Sequence, residues 1–169
     1  MTRVYVGVGS NIDRDRNIRG GIAALKEHFG VLVLSSVYES PAYGFEGDNF
    51  YNLVAGFDTA LPLAEVTAEL RVIEYSFGRK RQEQRFLPRT LDIDLLLYGD
   101  LRRHDEEFDL PREDVVRYAF VLCPLAEIAS DERHPELNKT YAELWRSFDA
   151  DKQKLWRTDF KITDTAEHG

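Results

Sequence analysis

Two helical stripes, each bracketed by short strand-like runs, decide what this chain can fold into. Between residues 14 and 29, Ile18, Ile22, Leu25 and Phe29 recur at helical spacing, and Gly30 supplies the stop. Between 61 and 78, Leu63, Val66, Leu70, Ile73 and Phe77 form a second stripe. Pro62 stands near its first turn and Gly78 at its end. The strand-like runs are "VYVGV" (4–8), "VLVLSSVYES" (31–40), "FYNLVAGFDT" (50–59) and "TLDIDLLLYG" (90–99). The order β-α-β-β-α-β predicts an α+β, ferredoxin-like core: a mostly antiparallel sheet with both helices on one face. Beyond it, residues 100–117 read as polar and irregular. Residues 118–129 read as a short strand or turn, then a helix from Pro124. Residues 141–148 read as a short helix, and the remainder to Gly169 as loosely held. A length of 169 residues suits one domain, with 146–169 a tail of no assigned role.

Inside the last strand run, period-two geometry puts Leu91, Ile93, Leu95 and Leu97 on one face. Asp92, Asp94, Leu96 and Tyr98 take the other. Burying an unpaired carboxylate is costly, so the leucine face belongs to the core and the aspartates point towards an open face or cleft. Carboxylates one strand repeat apart lie ~7 Å from each other. Such a pair suits hard divalent cations, Mg²⁺ or Mn²⁺, that clamp phosphates. By spacing alone it equally suits two aspartates on a solvated sheet face.

The preceding loop weighs towards phosphate. Residues 79–89 hold five basic residues, Arg79, Lys80, Arg81, Arg85 and Arg89, against one acid, Glu83. The whole chain carries a net charge of −8. Guanidinium forks match phosphate oxygens; the plain alternative is a charged surface run paired with surface acids. The net charge and the lack of a second basic patch argue against nucleic acid. Glycine-rich phosphate cradles are absent, as are zinc-ligand spacing and a G-x-S-x-G nucleophile turn. The single cysteine, Cys123, allows no internal disulfide. No apolar run approaches a membrane span or a signal peptide, so a cytoplasmic protein without membrane contact is expected.

The stretch "SPAYGFEGDNFYN" (40–52) adds Tyr43, Phe45, Phe50 and Tyr51, with Asn52 inside an apolar strand. A side-chain amide there can pair with the polar edge of a heterocycle, and aromatics can cover its faces. The plain alternative is a loop with core-filling aromatics.

Taken together, "VGVGSN", "SSVYESPAYG", "NFYN", "IEYSFGRKR", "PRTLDIDLLLYG" and "YAFVLCPLAEIA" resemble the 6-hydroxymethyl-7,8-dihydropterin pyrophosphokinase family, in order and at near-constant spacing over residues 3–130. The resemblance implies a Mg²⁺-dependent enzyme of folate biosynthesis. It would move pyrophosphate from ATP to the hydroxymethyl oxygen of the pterin, releasing AMP. It implies two Mg²⁺ ions at Asp92 and Asp94, and catalytic roles for Arg79, Arg89 and Asp94. Glu74, Arg81, Phe86 and Leu95 fall at ATP-contacting positions, and Arg112 falls there too. Ser40, Pro41, Tyr43, Phe50, Asn52 and Phe120 fall where the pterin is held, with Asn11 a further candidate. The partners implied are these two substrates, and the chain is expected to act as a monomer. Residues 79–89 and 43–49 are expected to close over the substrates.

The chain departs from the family pattern in three places. Arg112 follows "LP" where the family usually has histidine. Tyr118 stands where it usually has arginine. Residues 101–109, "LRRHDEEFD", are acidic where some members are basic or hydroxylated. These departures support a second reading: a paralogue that binds pterin or nucleotide with altered or lost turnover. A third reading is a ferredoxin-like module whose charged loop binds an acidic partner.

Overall fold

Val4, Val6 and Val8 alternate with Tyr5, Gly7 and Gly9 along β1 (Thr2–Ser10), and that alternation sorts the two faces of the sheet. The computed structural model describes residues 1–42, 47–78 and 91–162. The valines pack beneath α1 (Arg14–Phe29) and α2 (Leu63–Ser76), where Ile18, Ile22, Leu25, Val66, Leu70 and Ile73 bury the stripes read from the sequence. β1 lies between β4 (Phe50–Thr59) and β5 (Asp92–Tyr98), antiparallel to both. β2 (Val33–Leu34) and β3 (Tyr38–Ser40) pair with β4, so the sheet runs β5-β1-β4-β3. This is the predicted βαββαβ core.

The run 31–40 is two short strands rather than one. Leu34 and Tyr38 are four positions apart, while their partners Ala55 and Asn52 are three apart, so one residue bulges out. Ser35 bridges the gap: its N–H donates to Val54 O at 3.0 Å, and its Oγ accepts the Val54 N–H at 2.9 Å.

A second bulge corrects the predicted faces of β5. Tyr5 pairs with Leu97 and Val6 with Leu95, which leaves Leu96 as an extra residue. Alternation shifts phase there. Leu96 and Leu97 both join the second core, and Tyr98 turns towards the first, where its hydroxyl donates to Leu61 O at 2.7 Å. Asp92 and Asp94 precede the bulge and keep the predicted phase.

The second face is also covered in part. Residues 100–117 are more regular than expected, with a hairpin of β6 (Arg103–His104) and β7 (Asp109–Leu110) and a short α3 (Asp114–Arg117). α4 (Ala119–Ile128) and α5 (Tyr141–Arg146) follow. Val115, Leu122, Leu125 and Tyr141 pack there on Tyr5, Val54 and Leu96. The Tyr5 hydroxyl donates to Glu132, tying the central strand to the chain beyond α4. α4 starts at Ala119 and runs through Pro124, not from Pro124. A proline without an N–H omits one helical bond, which packing of this apolar helix outweighs.

The tail is held, not loose, as far as residue 162. β8 (Trp156–Arg157) adds to the free edge of β3. Thr158 N–H donates to Val37 O at 2.9 Å. Phe160 meets the Tyr51 ring at 5.1 Å, and Arg19 donates to Lys161 O at 3.0 Å. Short polar segments carry no periodicity, so nothing in their sequence signalled this docking.

Ile22, 1% exposed at the helix–sheet contact, reports on the first core. Ile22→Ala should cost about 2–4 kcal/mol, read as a lower midpoint in urea at unchanged m-value.

Candidate active site

The two glycines of β1 leave a trough in the second face. Register places Gly9 between Asn52 on β4 and Asp92 on β5, and Gly7 between Val54 and Asp94. All of these side chains share one face, because Val4, Val6 and Val8 of β1 occupy the other. Adjacent strands lie ~4.8 Å apart, so the amide and the carboxylates flank a gap two strand spacings wide. At Gly9 the lack of a side chain is required: a Cβ there would come within 2.7 Å of Asn52 Oδ1. Above the trough is a cavity of about 810 Å³, within the usual range for a small-molecule site.

The carboxylate side wraps over the outer edge of β5. Glu74, from α2, accepts the Ile93 N–H at 2.8 Å. Arg112 donates its backbone N–H to Leu96 O at 3.0 Å. An edge strand needs partners for its outward groups, and here both partners carry charged side chains into the cavity. The Arg112 guanidinium stands 3.7 Å from Asp94 and 3.3 Å from Asp114. Its Nε makes no aligned hydrogen bond, so the contact is one of charge. Burial opposes that charge, but Asp94 and Asp114 hold its pKa above the ordinary value. The Asp94 carboxyl is pushed up to about 8, by burial first and then by the negative charge of Asp92; Asp114 and Glu74 add to this and Arg112 opposes it.

Such a site calls for a cation. Among the described residues no group of three or more His, Cys, Asp or Glu side chains is arranged to hold a metal by itself. Asp92 and Asp94 could supply two carboxylates to an ion that takes its other ligands from water or a substrate.

The other side of the cavity is mainly apolar and carries the Asn52 amide. Asn52 is 8% exposed and donates from Nδ2 to Ser40 Oγ at 3.1 Å. Ser40, Pro41, Phe50 and Phe120 line the same space. Phe120 stacks on Tyr118 at 5.0 Å between ring centroids, tilted 22°. Leu95 is mainly a core residue that also borders the cavity. Asn11 lies apart: it donates to Asp48 O at 3.1 Å and lines a separate hollow with Arg14 and Glu39. Tyr43, Arg79, Arg81, Phe86 and Arg89 lie outside the described residues, as does most of each expected closing loop.

Sequence reasoning missed Gly7, Gly9, Asp114 and Gln153, all of which line the cavity. The glycines were detectable: a strand that alternates valine with glycine has one packed face and one hollow face. Asp114 and Gln153 carried no comparable signal.

Residues 5–130 match the model of the 7,8-dihydro-6-hydroxymethylpterin-pyrophosphokinase family. A 2-amino-4-hydroxy-6-hydroxymethyldihydropteridine pyrophosphokinase of Aquifex aeolicus is 36% identical over 146 residues, 85% of this chain and 91% of the relative. The enzyme of the same name from Methylorubrum extorquens is 40% identical over 135 residues, 78% of this chain and 85% of the relative. That from Bacillus subtilis is 34% identical over 157 residues, 90% of this chain and 89% of the relative. Among solved structures, a Plasmodium falciparum HPPK-DHPS protein superposes with a TM-score of 0.66 at 13% identity, over 86% of this chain and 41% of that one. An HPPK-DHPS solved in complex with substrates gives 0.65 at 12% identity, over 86% and 43%. This chain thus spans less than half of those longer proteins, and at such identity the likeness speaks to the fold.

Two outcomes follow from this geometry. Gly9→Ala should displace the Asn52 amide, weakening binding of a heterocycle about tenfold with little change in melting temperature; equilibrium titration reads it. Asp94 has a folded-state pKa above its unfolded value, so its ionisation costs stability. That cost is absent only below about pH 3, where both states are protonated, and grows as pH rises from the ordinary aspartate range to about 8. With chelator present, Asp94→Asn should therefore be more stable than wild type by about 1–2 kcal/mol at pH 8, the gain shrinking towards pH 4. Denaturant melts across that range measure it.

Proposed function

The chain belongs to the 7,8-dihydro-6-hydroxymethylpterin-pyrophosphokinase family, and we propose how its cavity performs the family's reaction in folate biosynthesis. Pyrophosphate passes from ATP to the hydroxymethyl group of 6-hydroxymethyl-7,8-dihydropterin, and AMP leaves. The hydroxymethyl oxygen bonds to the β-phosphorus, the bond from that phosphorus to the oxygen bridging the α-phosphorus breaks in line, and the hydroxyl proton is released. Asp94 is the candidate acceptor for that proton.

One observation supports this reading above the rest. The carboxylates of Asp92 and Asp94 and the amide of Asn52 sit on one face, either side of a glycine trough. Asn52 takes the polar edge of the pterin, with Phe120 against the ring and Ser40, Pro41 and Phe50 closing the pocket around it. Asp92 and Asp94 would hold Mg²⁺, two ions in this reading, which when bound neutralise the phosphoryl oxygens and lower the pKa of the attacking alcohol. Glu74, Leu95 and Arg112 border the ATP side. Arg112 brings a fixed guanidinium beside the carboxylates, the charge that a triphosphate requires. Arg81, Phe86 and Tyr43 join by resemblance, as do Arg79 and Arg89, assigned to the transition state. Among the described residues no helix is long and apolar enough to cross a membrane. We take the enzyme to be a cytoplasmic monomer, which size-exclusion chromatography of the pure protein would check.

The deciding measurement is AMP release from ATP and Mg²⁺, with and without 6-hydroxymethyl-7,8-dihydropterin. We expect AMP only with the pterin; binding of both substrates without AMP would instead favour the altered paralogue. Asp94→Ala should lower turnover by at least about 10³-fold with the fold intact. Arg89→Lys, which keeps the charge but loses the fork, should restore only part of the rate lost in Arg89→Ala.

A further inference from the structure

We infer that Gln153 is a positioning residue for the heterocycle half of the cavity, and that the C-terminal segment around it sets the distance between the two walls that grip the ring. The inference rests on the functional reading above.

The residue before α4, Tyr118, occupies the N-cap position without a capping side chain. The first helical N–H, that of Ala119, is consequently left without an acceptor inside the helix. Ala119 is buried, so this donor needs a partner. Gln153 provides it from 34 residues downstream: its Oε1 accepts the Ala119 N–H at 2.9 Å. Its Nε2 donates to Arg117 O, also at 2.9 Å. One primary amide thus pins the backbone on both sides of Tyr118. That backbone carries the stacked rings of Tyr118 and Phe120, and Gln153 lines the cavity beside them. The direction of both rings is therefore set by a side chain outside the βαββαβ core.

The same segment holds the opposite wall. Three residues on, β8 pairs with β3, Trp156 with Glu39 and Arg157 with Tyr38. The Trp156 indole N–H donates to Glu39 Oε1 at 3.3 Å. Glu39 precedes Ser40, the hydrogen-bond partner of Asn52. Within five residues the tail grips the ring-stacking wall and the strand that orients the amide. Neither contact reaches the carboxylate side. A change at Gln153 should therefore act on one substrate and not the other.

The test compares wild type with Gln153→Ala and Gln153→Glu. Pterin binding is titrated by its fluorescence without ATP, and steady-state constants are measured for both substrates. Glutamate keeps the acceptor for Ala119 but cannot donate to Arg117 O, so it should rank between glutamine and alanine. We expect Gln153→Ala to weaken pterin binding and raise the pterin KM by about 5- to 30-fold, as one or two lost hydrogen bonds allow. The ATP KM and kcat should stay within about twofold, and amide exchange at Ala119 should quicken. Unchanged pterin binding in both variants overturns the inference. So does equal weakening of both substrates in step with a lower melting temperature, which would make Gln153 merely structural. If alanine prevents folding, the glutamate variant carries the same comparison. A wild type that makes AMP, with indifferent variants, removes this inference alone. A wild type that neither binds the pterin nor makes AMP removes the functional reading with it.

Discussion

Pairing of β1 on both of its edges is the constraint on which the rest of the molecule depends. Its register with β4 and β5 sets Asn52, Gly9 and Asp92 in one row, and Val54, Gly7 and Asp94 in the next. A slip of one residue would turn Val6 and Val8 into the cavity and leave glycines against α1 and α2. The core would lose its strand contribution and the site its floor. Core packing and site geometry are therefore specified by the same alternation, and a register slip would lose both.

The outer edge of β5 extends this coupling. Its exposed groups are satisfied by Glu74 and by the backbone of Arg112. Each bond is structural, since an edge N–H or C=O seeks a partner. Each also delivers a charged side chain to the cavity rim. The chain has used the completion of its sheet to place the charges of its site.

The helical stripes, the four strand regions and the two aspartates were legible in the sequence, because each rests on a local period or on the cost of burying charge. Asn52 stood out as an amide inside an apolar strand, and the resemblance in motif order added Phe120, which periodicity cannot supply; both line the cavity. What stayed hidden depends on long-range registration. Leu96 looks like any strand leucine, yet as a bulge residue it reverses the faces of Leu97 and Tyr98. Pro124 reads as a helix start, yet the helix begins at Ala119, whose N–H is accepted by Gln153 far along the chain. Trp156 sits in a polar tail with no period at all, and only the free edge of β3 explains where it goes.

The electrostatics of the cavity also follow from its purpose. Asp92, Asp94, Asp114 and Glu74 crowd one rim, and burial and mutual repulsion hold Asp94 in its protonated form well into neutral pH. A closely hydrogen-bonded arginine would remove that cost, but it would also occupy the carboxylate oxygens. Arg112 stands at 3.7 Å from Asp94, beyond hydrogen-bond length, and so tempers the charge without occupying its acceptors. The Asp94 oxygens therefore stay open to the divalent cation proposed for this site. A permanently neutralised pair would be more stable and would bind that cation less well. The repulsion between Asp92 and Asp94 that opposes ionisation in the empty cavity is what a bound divalent cation would relieve, at the cost of displacing the Asp94 proton.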